Sequence, residues 1–155
     1  MKKYFYLLLI IPFLIFSCKT TDTVTPEEQA KIDKAIILKY IADNSLTADS
    51  TASGLYYIIA DSGVGAKPIS TSRIKVYYKG YLTNGFVFDQ NDPGFPFETF
   101  LSSVIKGWTE GVQLIGKGGK IKLLVPSALA YGTQATADFE ANSVLIFDIE
   151  LESFQ

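Results

Sequence analysis

The stretch Arg73–Leu82, R-I-K-V-Y-Y-K-G-Y-L, constrains this chain more than any other. Its residues alternate. Ile74, Val76, Tyr78, Gly80 and Leu82 fall on one side; Lys75, Tyr77, Lys79 and Tyr81 fall on the other. A period of two sustained this long is a strand with one covered face. Asn84-Gly85 comes just after it and is a strong hairpin signal, so residues 86–89 should fold back alongside. An antiparallel pair needs more strands and a cover for its apolar side. Residues 54–60, 97–101, 120–125 and 142–151 read as those strands. In the last of them Leu145, Phe147, Ile149 and Leu151 oppose Val144, Ile146, Asp148 and Glu150.

The cover is the segment 104–115, which opens V-I-K-G-W-T-E-G and carries the single tryptophan. Ile105, Trp108, Val112 and Ile115 recur at helical spacing, and Ser102 and Ser103 stand where a cap would. Gly107 and Gly111 are poor helix formers, but four apart they permit close approach of the helix to the sheet. Trp108 on such a helix is either core or the floor of a pocket. The expected architecture is α+β, a twisted antiparallel sheet of about five strands wrapped on one short helix, with an added N-terminal amphipathic helix.

That first helix is expected from Pro26 to about residue 42. Thr25 can cap it, Pro26 suits the first position, and Glu27 and Glu28 complement its positive end. Ile32, Ile36 and Tyr40 form its stripe, widened by Ile37 and Ile41. The stripe must pack on the body of the chain or, through a dimer, on a second copy. Before the helix, Lys2 and Lys3 precede an apolar run too short to span a membrane comfortably, ending in Ser17-Cys18. This resembles the lipobox of bacterial lipoproteins, with Phe16 a bulky member. The expected division is a signal peptide over 1–17, a lipid-attached tether over 18–25 beginning at Cys18, a helix and linker over 26–53, and the β-rich domain over 54–155. A lone cysteine forms no intrachain disulfide.

The chain has no histidine, which removes Ser-His-Asp and Cys-His catalysis and histidine-ligated metals. Net charge is −2 with no basic run after the N-terminus, so no nucleic-acid footprint is present. What accumulates instead is aromatic: Tyr78, Phe88, Phe97, Trp108, Tyr131 and Phe147 stand at strand ends and loops. Any one of them alone would be read as core.

Five fragments then occur in order. Tyr77-Tyr78-Lys79-Gly80-Tyr81-Leu82 with Asn84-Gly85 comes first, followed by Phe88-Asp89. Val104-Ile105-Lys106-Gly107-Trp108 with Glu110-Gly111 is third, then Leu129-Ala130-Tyr131-Gly132. Asn142-Ser143 before Leu145-Ile146-Phe147-Asp148 closes the series. Together they resemble the FKBP-type peptidyl-prolyl cis-trans isomerase family over about residues 54–154. The lipoprotein start and long helix are similar to FKBP-like lipoproteins of Gram-negative bacteria.

The resemblance implies an aromatic pocket for proline-containing polypeptides. Trp108 would be its floor, Tyr78, Phe88, Phe97 and Phe147 its walls, and Val104 and Ile105 its rim. Asp89 would stand at the edge and Tyr131 would offer its hydroxyl. The Ile105 backbone N–H would face a bound carbonyl, and Phe139 would sit in the flap. Asp89, Tyr131, Trp108 and Phe88 take the catalytic roles in this reading. The others bind substrate, and no cofactor is required. Two departures fall on the rim. The flap over 134–141 lacks the family's usual histidine and proline pair, and no basic residue follows Phe88-Asp89 within 90–95. A binding module or chaperone of the same fold with little turnover is the alternative; a lipoprotein holding a small apolar ligand is a third. Lys19 after Cys18 favours the outer membrane within the cell envelope, since the aspartate that would argue for inner-membrane retention is missing.

Overall fold

The computed structural model describes residues 24–155. The signal-peptide and lipid-attachment expectations, Cys18 included, lie outside the described residues. Helix α1 spans Pro26–Asp43. Its start follows the sequence closely. The Glu28 N–H donates to Thr25 Oγ1 at 3.2 Å and the Thr25 N–H donates back to Glu28 Oε2 at 2.9 Å, a reciprocal cap around Pro26. The cap also holds the Glu28 carboxyl below the usual carboxylate range, chiefly through the Thr25 backbone bond.

The packed face of α1 keeps Ile37, Tyr40 and Ile41 of the expected stripe but not Ile32 and Ile36. Asp33 and Ile37 are buried, and Tyr40 and Ile41 pack beside Leu124, Val144 and Tyr56. Ile32 and Ile36 remain exposed. The reason is Asp33, whose carboxylate accepts from the Ser127 N–H at 2.8 Å and the Ser127 hydroxyl at 2.7 Å. Gln29 Nε2 donates to its other oxygen at 2.7 Å. The two Ser127 bonds tie this buried carboxylate to the body of the chain and set the rotation of the helix, while the Gln29 bond, within α1, satisfies the other oxygen.

The sheet has seven strands: β1 Asp49–Ser50, β2 Tyr56–Asp61, β3 Arg73–Leu82, β4 Val87–Gln90, β5 Phe97–Phe100, β6 Lys120–Val125 and β7 Leu145–Phe154. Their order is β1-β2-β6-β7-β3-β4, and β5 also pairs with β3. Every pairing is antiparallel. The sheet exceeds the expected count of about five, and the strand with no counterpart in the sequence reading is β1, whose two residues are too short to show a period. Strand β1 lies inside the polar linker 44–53. Strand β7 starts three residues later than expected, at Leu145; Asn142, at φ +59°, still belongs to the turn before it.

Strands β3 and β7 run side by side from Ile74↔Phe154 to Leu82↔Leu145 and form the spine. The alternation of β3 holds. Ile74, Val76 and Tyr78 face a core shared with Ile121, Leu123 and Val125 of β6 and with Leu145, Phe147, Ile149 and Leu151 of β7. Helix α2, Lys106–Val112, covers it with Trp108 and Val112.

Helix α2 is shorter than the expected 104–115, and neither Ser102 nor Ser103 caps it. Both lie in a 3₁₀ turn, Leu101–Ser103, and Ile105 takes the cap position without a side-chain bond. Instead Thr109 Oγ1 donates to the Leu101 carbonyl at 2.7 Å, which ties the first turn of α2 to the 3₁₀ turn. At the other end the Leu114 and Ile115 N–H groups bond to Gly111 and Val112, the tightened geometry that closes many helices. Gly107 and Gly111 do allow close approach. A Cβ at Gly107 would lie 2.5 Å from Val125 Cγ1, and one at Gly111 2.5 Å from Leu123 Cδ2.

Candidate active site

Between α2 and the sheet edge opens a cavity of about 430 Å³. It is lined by Tyr78, Phe88, Asp89, Phe97, Ser103, Val104, Ile105, Trp108, Tyr131 and Phe147. Nine of these are residues expected from the sequence. Phe139 is not part of the lining; its ring stands edge-on to Phe88 at 5.1 Å and to Tyr131 at 5.2 Å, bracing both from the flap side. Trp108 and Phe147 are buried, and Tyr131 is exposed.

The rings meet in series. Phe97 touches Tyr78 at 5.7 Å, Tyr78 touches Trp108 at 5.1 Å, and Trp108 touches Phe147 at 5.3 Å. Phe147 meets Phe88 at 5.6 Å. All are edge-to-face, the arrangement the ring quadrupoles prefer. Each ring is therefore packed edge-on against its neighbours. Gly80 makes the room. It pairs with Phe147 on one side and Asp89 on the other. A Cβ there would come within 2.7 Å of Phe88 Cζ and 2.8 Å of Phe147 Cε1.

Neighbouring residues of a strand normally point to opposite faces, yet Phe88 and Asp89 both line the cavity. The β3–β4 register explains this. Gly80 pairs with Asp89 and Tyr81 with Val87, so Phe88 is the extra residue of a bulge. Asp89 is then in reach of β3, and the Tyr78 hydroxyl donates to its Oδ2 at 2.7 Å. Burial, and then this bond and the nearby Asp89 charge, push the Tyr78 phenol above its ordinary value. Tyr78 stays a neutral donor and Asp89 stays fixed at the edge.

Two contributors were not expected from the sequence. Ser103 was expected as a helix cap and stands on the rim. Asn91 bridges the gap between β4 and β5: its Oδ1 accepts from the Tyr78 N–H at 2.7 Å and its Nδ2 donates to the Phe95 carbonyl at 2.8 Å. An asparagine before Asp-Pro-Gly reads as an ordinary turn former, so only the β3 register reveals its role. The Trp108 indole N–H is buried and finds no acceptor among the described residues.

A larger recess of about 510 Å³ lies on the opposite face of the sheet, beside Tyr77, Lys79 and Lys122. Its walls are closed by ion pairs, Lys122 with Asp148 and Lys120 with Glu150, and Lys122 also donates to the Tyr81 hydroxyl. It lacks the packed aromatic floor of the first cavity.

The sequence model described as "FKBP-type peptidyl-prolyl cis-trans isomerase" matches residues 65–152. The chain belongs to the FKBP-type peptidyl-prolyl cis-trans isomerase family. A relative from Aeromonas hydrophila, the FKBP-type peptidyl-prolyl cis-trans isomerase FkpA, is 47% identical over 116 residues, covering 73% of this chain and 43% of that protein. FkpA of Escherichia coli (strain K12) is 41% identical over 114 residues, covering 73% and 42%. The chain thus spans less than half the length of these curated relatives. The crystal structure of FkpA from Escherichia coli superposes with a TM-score of 0.72 at 36% identity, covering 83% of this chain and 62% of that one. A peptidyl-prolyl cis-trans isomerase from Pseudomonas syringae pv. tomato str. DC3000 superposes with a TM-score of 0.71 at 31% identity, covering 88% and 99%. The fold expected from the sequence, an FKBP-like α+β domain with an N-terminal helix, is the fold these structures share with it.

Proposed function

We propose that this FKBP family member is a peptidyl-prolyl cis-trans isomerase acting on exported polypeptides. The observation that carries the reading is the slot itself: a fixed ring of aromatics over Trp108, with one anchored carboxylate, Asp89, at its edge. An X–Pro bond isomerises over a barrier of about 18–20 kcal/mol because the twisted state loses amide resonance. Uncatalysed exchange takes on the order of tens to hundreds of seconds. The twisted amide is less charge-separated than the planar one. A dry apolar wall therefore raises the planar ground state relative to the twist, and fixed donors hold the carbonyl as it turns.

In this mechanism the proline ring rests on Trp108 between Phe88, Phe97 and Phe147, with Val104 beside it. The backbone N–H of Ile105 caps α2, where helix N–H groups have no intrahelical acceptor, and it receives the substrate carbonyl. Tyr131 supplies a second donor from the rim, steadied by Phe139. Asp89, held by Tyr78, sets a fixed negative edge toward which the rotating carbonyl carbon turns. No proton moves and no bond breaks, so a chain without histidine suffices.

The N-terminal sequence supports lipid attachment at Cys18 and a place in the cell envelope, with the outer membrane favoured. Metabolic labelling with palmitate should mark the wild-type chain and not Cys18→Ser. The exposed Ile32 and Ile36 on the free face of α1 are the surface a second copy would use. Sedimentation of the protein and of Ile36→Glu tests this; a monomer in both would exclude a dimer through that face.

The isomerase reading is tested by refolding. Catalytic amounts of the full chain should accelerate a proline-limited slow phase of an unfolded protein, and Trp108→Leu should lose most of that effect. Acceleration equal in wild type and Trp108→Leu would overturn the reading. Suppressed aggregation without acceleration would favour a chaperone of the same fold.

A further inference from the structure

Phe95 is 74% exposed, more than any other aromatic described. An exposed phenylalanine on a loose loop would mean little, but this one is held. Its N–H donates to the Asp92 carbonyl at 3.1 Å, and its own carbonyl accepts from Asn91 Nδ2 at 2.8 Å. Asn91 is in turn fixed to the Tyr78 backbone, on the wall of the pocket. The backbone of Phe95 is thus tied at both its polar groups while its ring contributes nothing to the core.

The next two residues decide where the ring stands. Pro96 keeps Phe95 extended, because a residue before proline is driven out of the helical region. Phe97 then begins β5. Residues i and i+2 of an extended chain lie roughly 7 Å apart. Phe97 lines the pocket beside Tyr78, and it is itself 40% exposed. Phe95 is outside the lining itself, two residues before Phe97 and tied through Asn91 to the Tyr78 backbone. A substrate chain leaving the slot in extended form advances about 3.3–3.6 Å per residue, so it reaches Phe95 about two to three residues from the reacting bond.

We propose that Phe95, with the exposed edge of Phe97, forms a secondary subsite that takes a large apolar or aromatic side chain of the substrate, outside the X–Pro pair. The proposal rests on the isomerase reading and names its preferred substrates. These are prolines flanked at short range by bulky apolar residues, which are displayed by unfolded chains and hidden in folded ones.

The test uses the full chain and a set of alanine-rich decapeptides with one central Ala-Pro bond. Each carries a single phenylalanine two, three or four residues to either side of that bond. At one or more positions, phenylalanine should raise kcat/KM about fivefold over alanine, the order expected when a phenylalanine is partly buried. In Phe95→Ser that ratio should fall to about one. In Phe100→Ser, an exposed phenylalanine lying against Arg73, it should be kept. Equal rates for phenylalanine and alanine at every position, or a preference that survives Phe95→Ser, overturn the subsite and leave the isomerase reading standing. No turnover of any peptide by the wild type overturns both.

Discussion

At the scale of single residues, the site depends on two small features. Gly80 lies where any side chain would strike Phe88 and Phe147. Gly80→Ala should therefore push both rings into the slot and cut kcat/KM at least tenfold in a peptide isomerisation assay, while far-ultraviolet circular dichroism stays that of the wild type. The second feature is the Tyr78–Asp89 hydrogen bond. Tyr78 is shifted upward by burial first and by Asp89 second, and Tyr81 by burial and then by Asp148 and Tyr40. A phenol whose folded value is raised adds stability that is complete below the unfolded value of about 10 and is lost as pH climbs through the folded value. Absorbance at 295 nm should show two tyrosines ionising after the rest. Tyr78→Phe should remove one of these late steps. A titration in which every tyrosine ionises together near pH 10 would contradict this assignment.

At the scale of elements, two contacts separate competing effects. Replacing Gly107 by alanine favours the helix by up to ~1 kcal/mol, yet the new methyl would sit 2.5 Å from Val125, a stiff β-branched neighbour. Overpacking costs about 1–3 kcal/mol, so Gly107→Ala should be a net loss. Gly111→Ala meets the more mobile end of Leu123 and should cost less. Urea denaturation of both variants checks the order. On α1, Asp33→Ala would leave the Ser127 N–H and hydroxyl without their acceptor, a loss of about 1–3 kcal/mol.

The same elements show what could be read in advance. The alternation of β3 and the Thr25 cap before Pro26 are local patterns, and the structure has both. The rotation of α1 could not be read, because Asp33 looks like any solvent-facing carboxylate until Ser127, far along the chain, is placed beside it. The start of β7 was misplaced because its alternation extends backward through Ser143 and Asn142 into the turn. In the cavity, the aromatics were legible as a set through the family motifs. The Phe88 bulge and the bridging Asn91 were not, since both depend on a pairing register that no single segment encodes.

At the scale of the whole molecule, the sheet and α2 form a rigid frame, and the slot opens where β3 passes from β5 to β4. Helix α1 rests on the other face of the sheet through Ile37 and Leu124, away from the slot. Removing the exposed apolar side of α1 with Ile32→Ser and Ile36→Ser should leave peptide turnover within about twofold of wild type, because neither side chain belongs to the cavity or to the core. For an isomerase of this kind, the slot over Trp108 must itself lower the barrier to prolyl rotation. Two-dimensional NMR exchange spectroscopy on a proline tetrapeptide measures that directly. With the full chain at about one-hundredth of the peptide concentration, cross-peaks between the cis and trans forms should appear within a one-second mixing time, and they should vanish in Trp108→Leu. Exchange that stays on the uncatalysed scale of tens to hundreds of seconds with folded wild-type protein present would contradict the account.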